Sequence, residues 1–502
     1  MDEHMMLRTI RIALAAVFYS CITLLFLDFT GTAHTWLGWM AKVQFLPAVL
    51  ALNVGVVGLL LLLTFLLGRV YCSVVCPLGV LQDLISWVSG RRKGKRFRFS
   101  YSPELKVLRY GVLVVFVAAL LAGLTSVASL VAPYSAYGRI AANLLAPIYR
   151  WGNQLLALLA EHYGSYAFYE TEIWVKSLSV LAVAAVTLGV VGVLAWRSGR
   201  TYCNTVCPVG TVLGFVSRFA LFRPVIDADK CNSCRLCAMK CKASCIDAAA
   251  HTIDYSRCVA CMDCLGTCRH GALRFAARWK RTEPVKAVPE AAATDPSRRA
   301  FLASGAVLAT AAVRAQEMKV DGGLAKIVDK QVPRRTTPIL PPGAKSDRHF
   351  AQHCTACQLC VSACPNGVLR PSTDLGRLMQ PEMSYERGYC RPECSRCSDV
   401  CPTGAIRLAD KADKAAVQVG HAVVLYDNCI SKTEGVSCGN CARHCPSGAI
   451  DMVPVDPGQP EGRRMPVVSV ERCIGCGACE HLCPVRPFSA IYVEGHERQR
   501  TI

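Results

Sequence analysis

The sequence lacks the motifs that would commit it to most redox cofactors. It has no C-x-x-C-H, which excludes covalently attached haem. It has neither a Walker loop nor G-x-G-x-x-G, so no nucleotide site is evident. SGAVLAT at residues 304–310 approaches a flavin-attachment pattern, but no Thr follows Ala306 directly. Charge is scarce, at 18% of residues, and negative charge scarcer: 36 Asp and Glu against 56 Lys and Arg give a net +20. What the chain has instead is apolar bulk, 52% of its 502 residues, and 30 cysteines. Its length suggests about three or four domains.

The apolar residues concentrate in four runs: Ile12 to Leu27, Phe45 to Leu67, Tyr110 to Ala132 and Leu178 to Trp196. A run of about 20 residues spans a bilayer as a helix with every backbone group bonded internally. The expectation is a bundle of four transmembrane helices over 1–210. The loop after the second run, RRKGKRFRFSYSPELKVLR, is strongly basic, while the loops after the first and third hold few Lys or Arg. The positive-inside rule then places the N-terminus, this loop and the end of the fourth helix in the cytoplasm of a bacterial inner membrane. Anionic headgroups are the partner of that charge rather than nucleic acid.

From Cys231 onward the cysteines fall into six groups of four. The first is Cys231, Cys234, Cys237 and Cys241, and the second Cys258, Cys261, Cys264 and Cys268. Then follow Cys354, Cys357, Cys360, Cys364; Cys390, Cys394, Cys397, Cys401; Cys429, Cys438, Cys441, Cys445; and Cys473, Cys476, Cys479, Cys483. Four groups are C-x2-C-x2-C-x3-C, and the last four end in Cys-Pro. Three thiolates in one tight loop hold three corners of a [4Fe–4S] cube, and the fourth reaches the other cluster of a pair. Zinc sites and disulfide scaffolds do not repeat this spacing in tandem. Six [4Fe–4S] clusters, with iron held through these 24 cysteines, are expected on α+β bacterial-type ferredoxin domains. By the two-cluster rule Cys231, Cys234 and Cys237 share a cluster with Cys268, and Cys258, Cys261 and Cys264 share one with Cys241. For the last four groups two pairings stay open: first with second and third with fourth, or first with fourth and second with third. Cys21 reads as a small apolar residue in the first helix. Cys245 is a spare thiol or an alternative ligand.

Two further pairs repeat a motif: GRVYCSVVCPLG at 68–79 and GRTYCNTVCPVG at 199–210. Cys72 and Cys76 stand at i and i+4 on one helix face, as do Cys203 and Cys207, with Pro77 and Pro208 ending or kinking those helices. The copies suggest a duplicated two-helix unit. If the two helix ends meet, four thiolates make a full ligand set for a further cluster or another thiophilic metal. Two redox-active dithiols, and simple packing, are the alternatives. A structural disulfide does not suit a reducing cytoplasm. Arg69 and Arg200 either hold thiolate charge or contact headgroups.

Between the cysteine-rich blocks lies a Pro/Ala-rich linker, and then SRRAFLASGAVLATAAVRAQE. Its paired arginines, modest apolar run and Val313-Arg314-Ala315 are similar to a twin-arginine export signal, which serves folded, cofactor-loaded cargo. An interfacial or core helix is the alternative. Expected domains are therefore 1–210 transmembrane, 211–275 a cytoplasmic two-cluster ferredoxin, 276–345 linker and signal, and 346–502 a periplasmic four-cluster ferredoxin. Cleavage near Ala315 separates the halves; retention leaves a fifth, short anchor.

With these features assembled, residues 1 to about 275 resemble NapH-type membrane ferredoxins, a family that includes the membrane part of NosR-like proteins. Residues from about 294 resemble NapG-type exported ferredoxins. The chain looks like a natural fusion of the two. The resemblance implies a quinol dehydrogenase that draws on the quinone pool, as menaquinol or ubiquinol, and feeds a periplasmic reductase or cytochrome. It also favours pairing the first of the last four groups with the fourth and the second with the third. The missing Pro in the first two groups and the added Cys245 depart from the family pattern. Quinol oxidation needs a proton acceptor beside an apolar slot. The first periplasmic loop offers Asp28, His34 and Gln44, and the second Tyr134, Tyr137 and Arg139; His34, Asp28 and Arg139 are the expected quinol residues. Trp36 and Trp39 fit an interfacial aromatic belt, and residues 140–160 an amphipathic helix on that face. Rival readings are a maturation factor that reduces a bound metal such as copper through Cys72, Cys76, Cys203 and Cys207, and a quinol-independent subunit of a larger complex.

Overall fold

The computed structural model describes residues 3–91, 99–165, 168, 170–171, 176–268, 270–278, 328–408, 413–455 and 462–502. The twin-arginine segment, the linker before it and the centre of the basic loop lie outside these residues.

Two helices are long and apolar enough to cross a membrane: Met6–Leu27 within α1 (Glu3–Leu27), and α10 (Leu178–Ser198). Only 28% and 22% of their apolar windows are buried within the fold, so most of that surface faces outward. The other two expected runs are each interrupted by a turn, so among the described residues two helices rather than four reach that length. Residues 45–67 form α2 (Phe45–Leu50) and α3 (Val54–Leu67). Leu52 lies between them in the left-handed region at φ 52°, and the Asn53 side chain caps α3 by accepting from the Val56 N–H. The third run divides at Gly123, φ +76°, into α6 (Lys106–Leu121) and α7 (Thr125–Val131), and continues past Pro133 as α8 (Pro133–Ile140). Every residue of α8 is buried. A π-helical segment, Ala141–Leu145, leads into α9 (Ala146–His162), whose Ile148, Trp151 and Leu158 are exposed.

The duplication is visible in three dimensions. In the first copy α3 ends at Gly68 (φ +76°), α4 (Val70–Val74) follows, and α5 (Pro77–Gly90) begins on its proline. In the second, α10 ends at Gly199 (φ +68°), followed by α11 (Thr201–Thr205) and α12 (Pro208–Ser217). Glycine relieves the left-handed stop, and proline suits the first turn because its missing N–H would be unpaired there. Each copy's long helix packs against the other copy's post-proline helix: α10 against α5, and α3 against α12. One detail corrects the i, i+4 expectation: Cys76 and Cys207 cap the N-termini of new helices rather than continuing those of Cys72 and Cys203.

The ferredoxin parts are loops and short elements around small two-stranded sheets. Phe222–Ile226 pairs antiparallel with Leu273–Ala277, and Val417–Val424 with Ile491–Thr501. The 231–268 unit sits at one end of the helical part, where Leu221 N–H bonds Phe65 O and Phe99 N–H bonds Met239 O. The 346–502 unit sits on the loops at the other end: Arg396 Nη2 donates to Thr30 O, and Thr125 Oγ1 to Ala351 O.

Candidate iron–sulfur and thiol centres

The cysteine loops carry a backbone signature between their ligands. Ser233 and Arg235, Ala260 and Met262, Ala356 and Gln358, and Gly475 and Gly477 flank the second cysteine of four loops, and all have φ between 49° and 79°. Alternation through the left-handed region turns successive N–H groups inward and makes an anion-binding nest of the kind that surrounds Fe–S sites. A non-glycine residue pays about 1–2 kcal/mol for that conformation, so the surrounding fold imposes it six times over. These loops fit iron–sulfur clusters.

The thiols surround space rather than close on a point. Among the described residues no three or more His, Cys, Asp or Glu side chains form a ready single-ion site. One small cavity is lined by Cys231, Cys234, Cys237 and Cys268, and another by Cys429, Cys438, Cys441 and Cys483. Cys264 interacts electrostatically with Cys258, Cys261 and Cys241. Cys360 does so with Cys354, Cys357 and Cys401; Cys397 with Cys390, Cys394 and Cys364; and Cys476 with Cys473 and Cys445. The first group thus has thiols of the second beside it and the third those of the fourth, while Cys390 of the second group also neighbours Cys476 of the fourth, its N–H bonding Cys476 O at 2.9 Å. Cys245 is buried with its sulfur 3.5 Å from that of Cys241, and it also bonds Cys258, so it belongs to that thiol set. Cys21 is half-buried against the core in α1.

Cys72, Cys76, Cys203 and Cys207 converge. All four are 4% exposed, and Cys207 interacts with each of the other three. Two arginines, both fully buried, frame them. Arg69 Nη2 lies 3.8 Å from Cys72 Sγ and donates to Cys203 O at 3.0 Å; Arg200 Nη1 lies 3.8 Å from Cys203 Sγ and donates to Cys72 O at 2.8 Å. Glycine permits this closeness: a Cβ on Gly79 would meet Cys72 O at 2.2 Å, and one on Gly210 would meet Cys203 O at 2.2 Å. Gln82 Nε2 donates to Cys203 Sγ at 3.3 Å, and the Gly210 N–H to Cys207 Sγ at 3.3 Å. The arginines differ in compensation. Arg200 pairs with Asp83 at 2.8 Å, whereas among the described residues no carboxylate pairs with Arg69. A buried charge without a counter-charge is costly, and the nearest anionic candidates are the thiols. Both copies thus build one thiophilic, anion-demanding site.

The three residues expected at a quinol site do not meet. Asp28 and His34 pair through Oδ2 and Nδ1 at 3.0 Å, and Asp28 also accepts from the Gly31 N–H at 2.7 Å, as a turn cap. Arg139 lies elsewhere in α8, fully buried, with Nη1 and Nη2 on the carbonyls of Ser129 and Leu130. Its electrostatic neighbours are Tyr202 and Cys357. Tyr202 in turn faces Cys203 and Cys207, and Tyr134 faces Cys357 and Cys401. These three side chains occupy the interval between the four-thiol site and the nearest thiols of the 346–502 unit. Sequence reasoning did not single out Asp83, Gln82, Asn204 or Tyr202; their only local signal was proximity to the repeated motif.

Comparison with known proteins gives the same picture by another route. Residues 49–96 and 179–226 each match a 4Fe-4S binding domain, so the two C-x3-C-P copies fall in two matches to one family. Residues 353–406 match one 4Fe-4S dicluster domain family, and 389–449 and 435–486 another. The methylamine utilization ferredoxin-type protein MauM of Paracoccus denitrificans is 35% identical over 188 residues, which are 34% of this chain and 79% of that protein. The ferredoxin-type protein NapF of Escherichia coli K12 is 28% identical over 180 residues, 36% of this chain and all of NapF. MauM of Methylorubrum extorquens is 33% identical over 211 residues, 38% of this chain and 84% of that protein. No solved structure matches. With its cysteine loops, its cluster-shaped backbone and MauM covered over most of its length, the chain belongs to the ferredoxin-type 4Fe-4S proteins that include MauM.

Proposed function

We propose that this protein is a membrane-bound electron carrier that takes electrons from quinol and delivers them through its 346–502 unit to a periplasmic reductase or cytochrome, as a natural fusion of a NapH-like membrane ferredoxin and a NapG-like exported one. Six [4Fe–4S] clusters are held by the 24 grouped cysteines, and a seventh iron–sulfur or thiophilic metal centre by Cys72, Cys76, Cys203 and Cys207. A bound cluster supplies reversible one-electron transfer. The chain's own residues do the rest. Arg69 and Arg200 hold the charge of the four thiolates, Gln82 and the Gly210 N–H donate to their sulfurs, and Tyr134, Arg139 and Tyr202 fill the route outward and exclude water. The outward-facing apolar surface of α1 and α10 supports the membrane assignment. The observation that carries the reading is the four-thiol site framed by Arg69 and Arg200, with Arg69 having no carboxylate partner among the described residues.

The test uses anaerobically purified full-length protein. A reduced menaquinol analogue is added, and cluster bleaching and reduced-cluster EPR signals are followed. Reduction on a catalytic timescale is expected, and serine at all four C-x3-C-P positions is expected to abolish it. Unchanged reduction in that variant removes the four-thiol site from the path. Failure of quinol where dithionite succeeds rejects the quinol role. Metal reduction that depends on the four thiols would then support the maturation-factor reading.

A further inference from the structure

Resting on the iron–sulfur reading above, we infer that Lys414 raises the reduction potential of the cluster held by Cys364, Cys390, Cys394 and Cys397, by setting a buried positive charge against those thiols. The residue lies outside every cysteine loop. It stands in a one-turn helix, Asp413–Ala416, that leads into the strand Val417–Val424. That helix returns Lys414 onto the 390–401 loop, where it is 4% exposed. Its Nζ donates to the carbonyls of Arg391 and Cys394 and bonds the Cys390 sulfur, and its charge acts on Cys397. An ammonium has three N–H donors, and two loop carbonyls and one ligand sulfur take all three.

Burial decides the strength of the effect. Water and salt screen an exposed charge, whereas a buried one acts through a lower dielectric. The loop's own acids, Glu393 and Asp399, are exposed, so they offset little of the Lys414 charge. Among the described residues no carboxylate pairs with Lys414. Lys242 in the other ferredoxin unit is the contrast. It follows the cluster ligand Cys241 and is also buried, but Asp83 at 3.1 Å and Asp263 at 2.8 Å neutralise it. Lys176 acts on Cys364 and Cys360 together, so it does not set this group of thiols apart from its neighbour. Lys414 does.

Reduction by one electron makes a thiolate-held cluster more negative by one unit. A cation in contact with the thiols favours that reduced form; net charge and hydrogen bonds to the sulfurs are among the quantities that set cluster potentials. The position gives the charge a use. Cys364 comes from the first loop of the 346–502 unit, and the Cys390 N–H bonds Cys476 O at 2.9 Å in the last. The set beside Lys414 therefore adjoins thiols of two other groups, and Lys414 biases where an electron resides among them.

The experiment is a mediated redox titration of the cluster-loaded full-length protein in detergent, with dithionite as reductant, followed by EPR. Cys397→Ala identifies the one-electron step of this set by removing it. Lys414→Gln keeps a donor and loses the charge. In it that step is expected to move to a potential lower by about 59 mV or more, a tenfold fall in the ratio of reduced to oxidised cluster at fixed potential, with iron content unchanged. Lys414→Arg is expected to keep the parent potential. An unmoved step in Lys414→Gln would overturn the proposal and leave the cluster assignment standing. So would an equal shift in Lys414→Arg, which traces the shift to loop geometry rather than charge. Iron loss in Lys414→Gln would make the residue a clamp for the loop and overturn the proposal as well. If no step disappears in Cys397→Ala, the set holds no redox group, and the cluster assignment falls with the proposal.

Discussion

Arg69 and Arg200 exchange partners across the duplicated unit: each guanidinium lies beside the first cysteine sulfur of its own copy and donates to the backbone carbonyl of the first cysteine in the other. The two halves are therefore tied through the residues that bring their thiols together. Neither copy can form the site alone.

The first prediction concerns the difference between these arginines. Arg69 also donates to Asn204 Oδ1 at 2.8 Å and Ser256 O at 3.1 Å. Arg69→Gln strands those acceptors and removes a cation that, among the described residues, has no carboxylate partner, whereas Arg200→Gln leaves Asp83 still held by Arg11 and Lys242. Arg69→Gln is expected to cost about 1–3 kcal/mol, from the acceptors left unsatisfied, and about four irons per chain, one [4Fe–4S] cluster. Arg200→Gln is expected to cost less stability. Iron analysis with thermal unfolding in detergent checks both; equal iron loss and equal destabilisation would refute the asymmetry.

Gly79→Ala and Gly210→Ala are expected to be equally damaging. The added Cβ meets a backbone carbonyl at 2.2 Å in both, and an arginine nitrogen at 2.6 Å and 2.7 Å respectively. Overpacking of this kind costs about 1–3 kcal/mol, occasionally more. Gly111 and Gly189 face open space in helices, so alanine there is expected to be neutral or to stabilise by up to about 1 kcal/mol. Four melting curves test this, and a harmless Gly210→Ala alone would break the symmetry of the two copies.

The cysteine spacing made the cluster loops legible in the sequence, because ligand geometry fixes that spacing. The helix breaks were less so. Leu52-Asn53 and Gly123 interrupt runs whose hydropathy is the same on both sides, and only the capping Asn and the left-handed Gly betray the turn. The pairing of the last four groups depends on how short units stack, which spacing leaves open. The ion-pair network of Arg11, Asp83, Lys242 and Asp263 left no local signal, because these residues come together only through the packing of α1 on α5 and of the ferredoxin unit on both.

Cys245 gives a rescue prediction. Its sulfur is 3.5 Å from Cys241 Sγ and it also bonds Cys258. Cys241→Ser alone is expected to keep its cluster, with an altered EPR signal, because Cys245 takes the vacant corner. Cys241→Ser with Cys245→Ser is expected to lose about four irons. Cluster loss in the single variant would show that Cys245 cannot substitute.

Asp28 supplies the pH dependence. Burial would raise its pKa, but bonds from the His34 ring, the Thr30 hydroxyl and the backbone N–H groups of Gly31 and His34 outweigh this and hold it well below the usual carboxylate range. A carboxyl depressed in the folded state contributes stability above its unfolded value near 3.8, lost as pH falls through the lower folded value. The loop that receives Arg396 should therefore stay closed at neutral pH and loosen only in strong acid. Asp28→Asn is expected to loosen it at neutral pH, with hydrogen exchange of residues 28–34 faster by about tenfold, the loss of a charge-assisted bond of about 1.5 kcal/mol. Unchanged exchange would mean the carboxylate does not hold the turn.

The last prediction concerns what happens if the chain is cut between its halves. The 346–502 unit is held to the helical part by contacts that do not depend on the connection. Lys176 Nζ donates to Val361 O at 2.6 Å, Asn143 Nδ2 to Gln358 Oε1 at 2.7 Å, and Gln380 Nε2 to Thr125 Oγ1 at 2.5 Å. The backbone also leaves no room at Gly138 in α8, where a Cβ would meet Cys357 O at 2.3 Å and the Phe26 ring at 3.0 Å. A protease site inserted within residues 281–297 and cleaved after purification should leave the two pieces co-eluting. Gly138→Ala pushes directly on the Cys357 loop and should separate them after cleavage, or weaken their association by at least tenfold, while the uncut variant keeps its iron. Separation of the unsubstituted pieces would mean that the covalent link, rather than the α8 interface, holds Cys357 beside Tyr134 and Arg139. In that case export cleavage would cut the route as well as the chain.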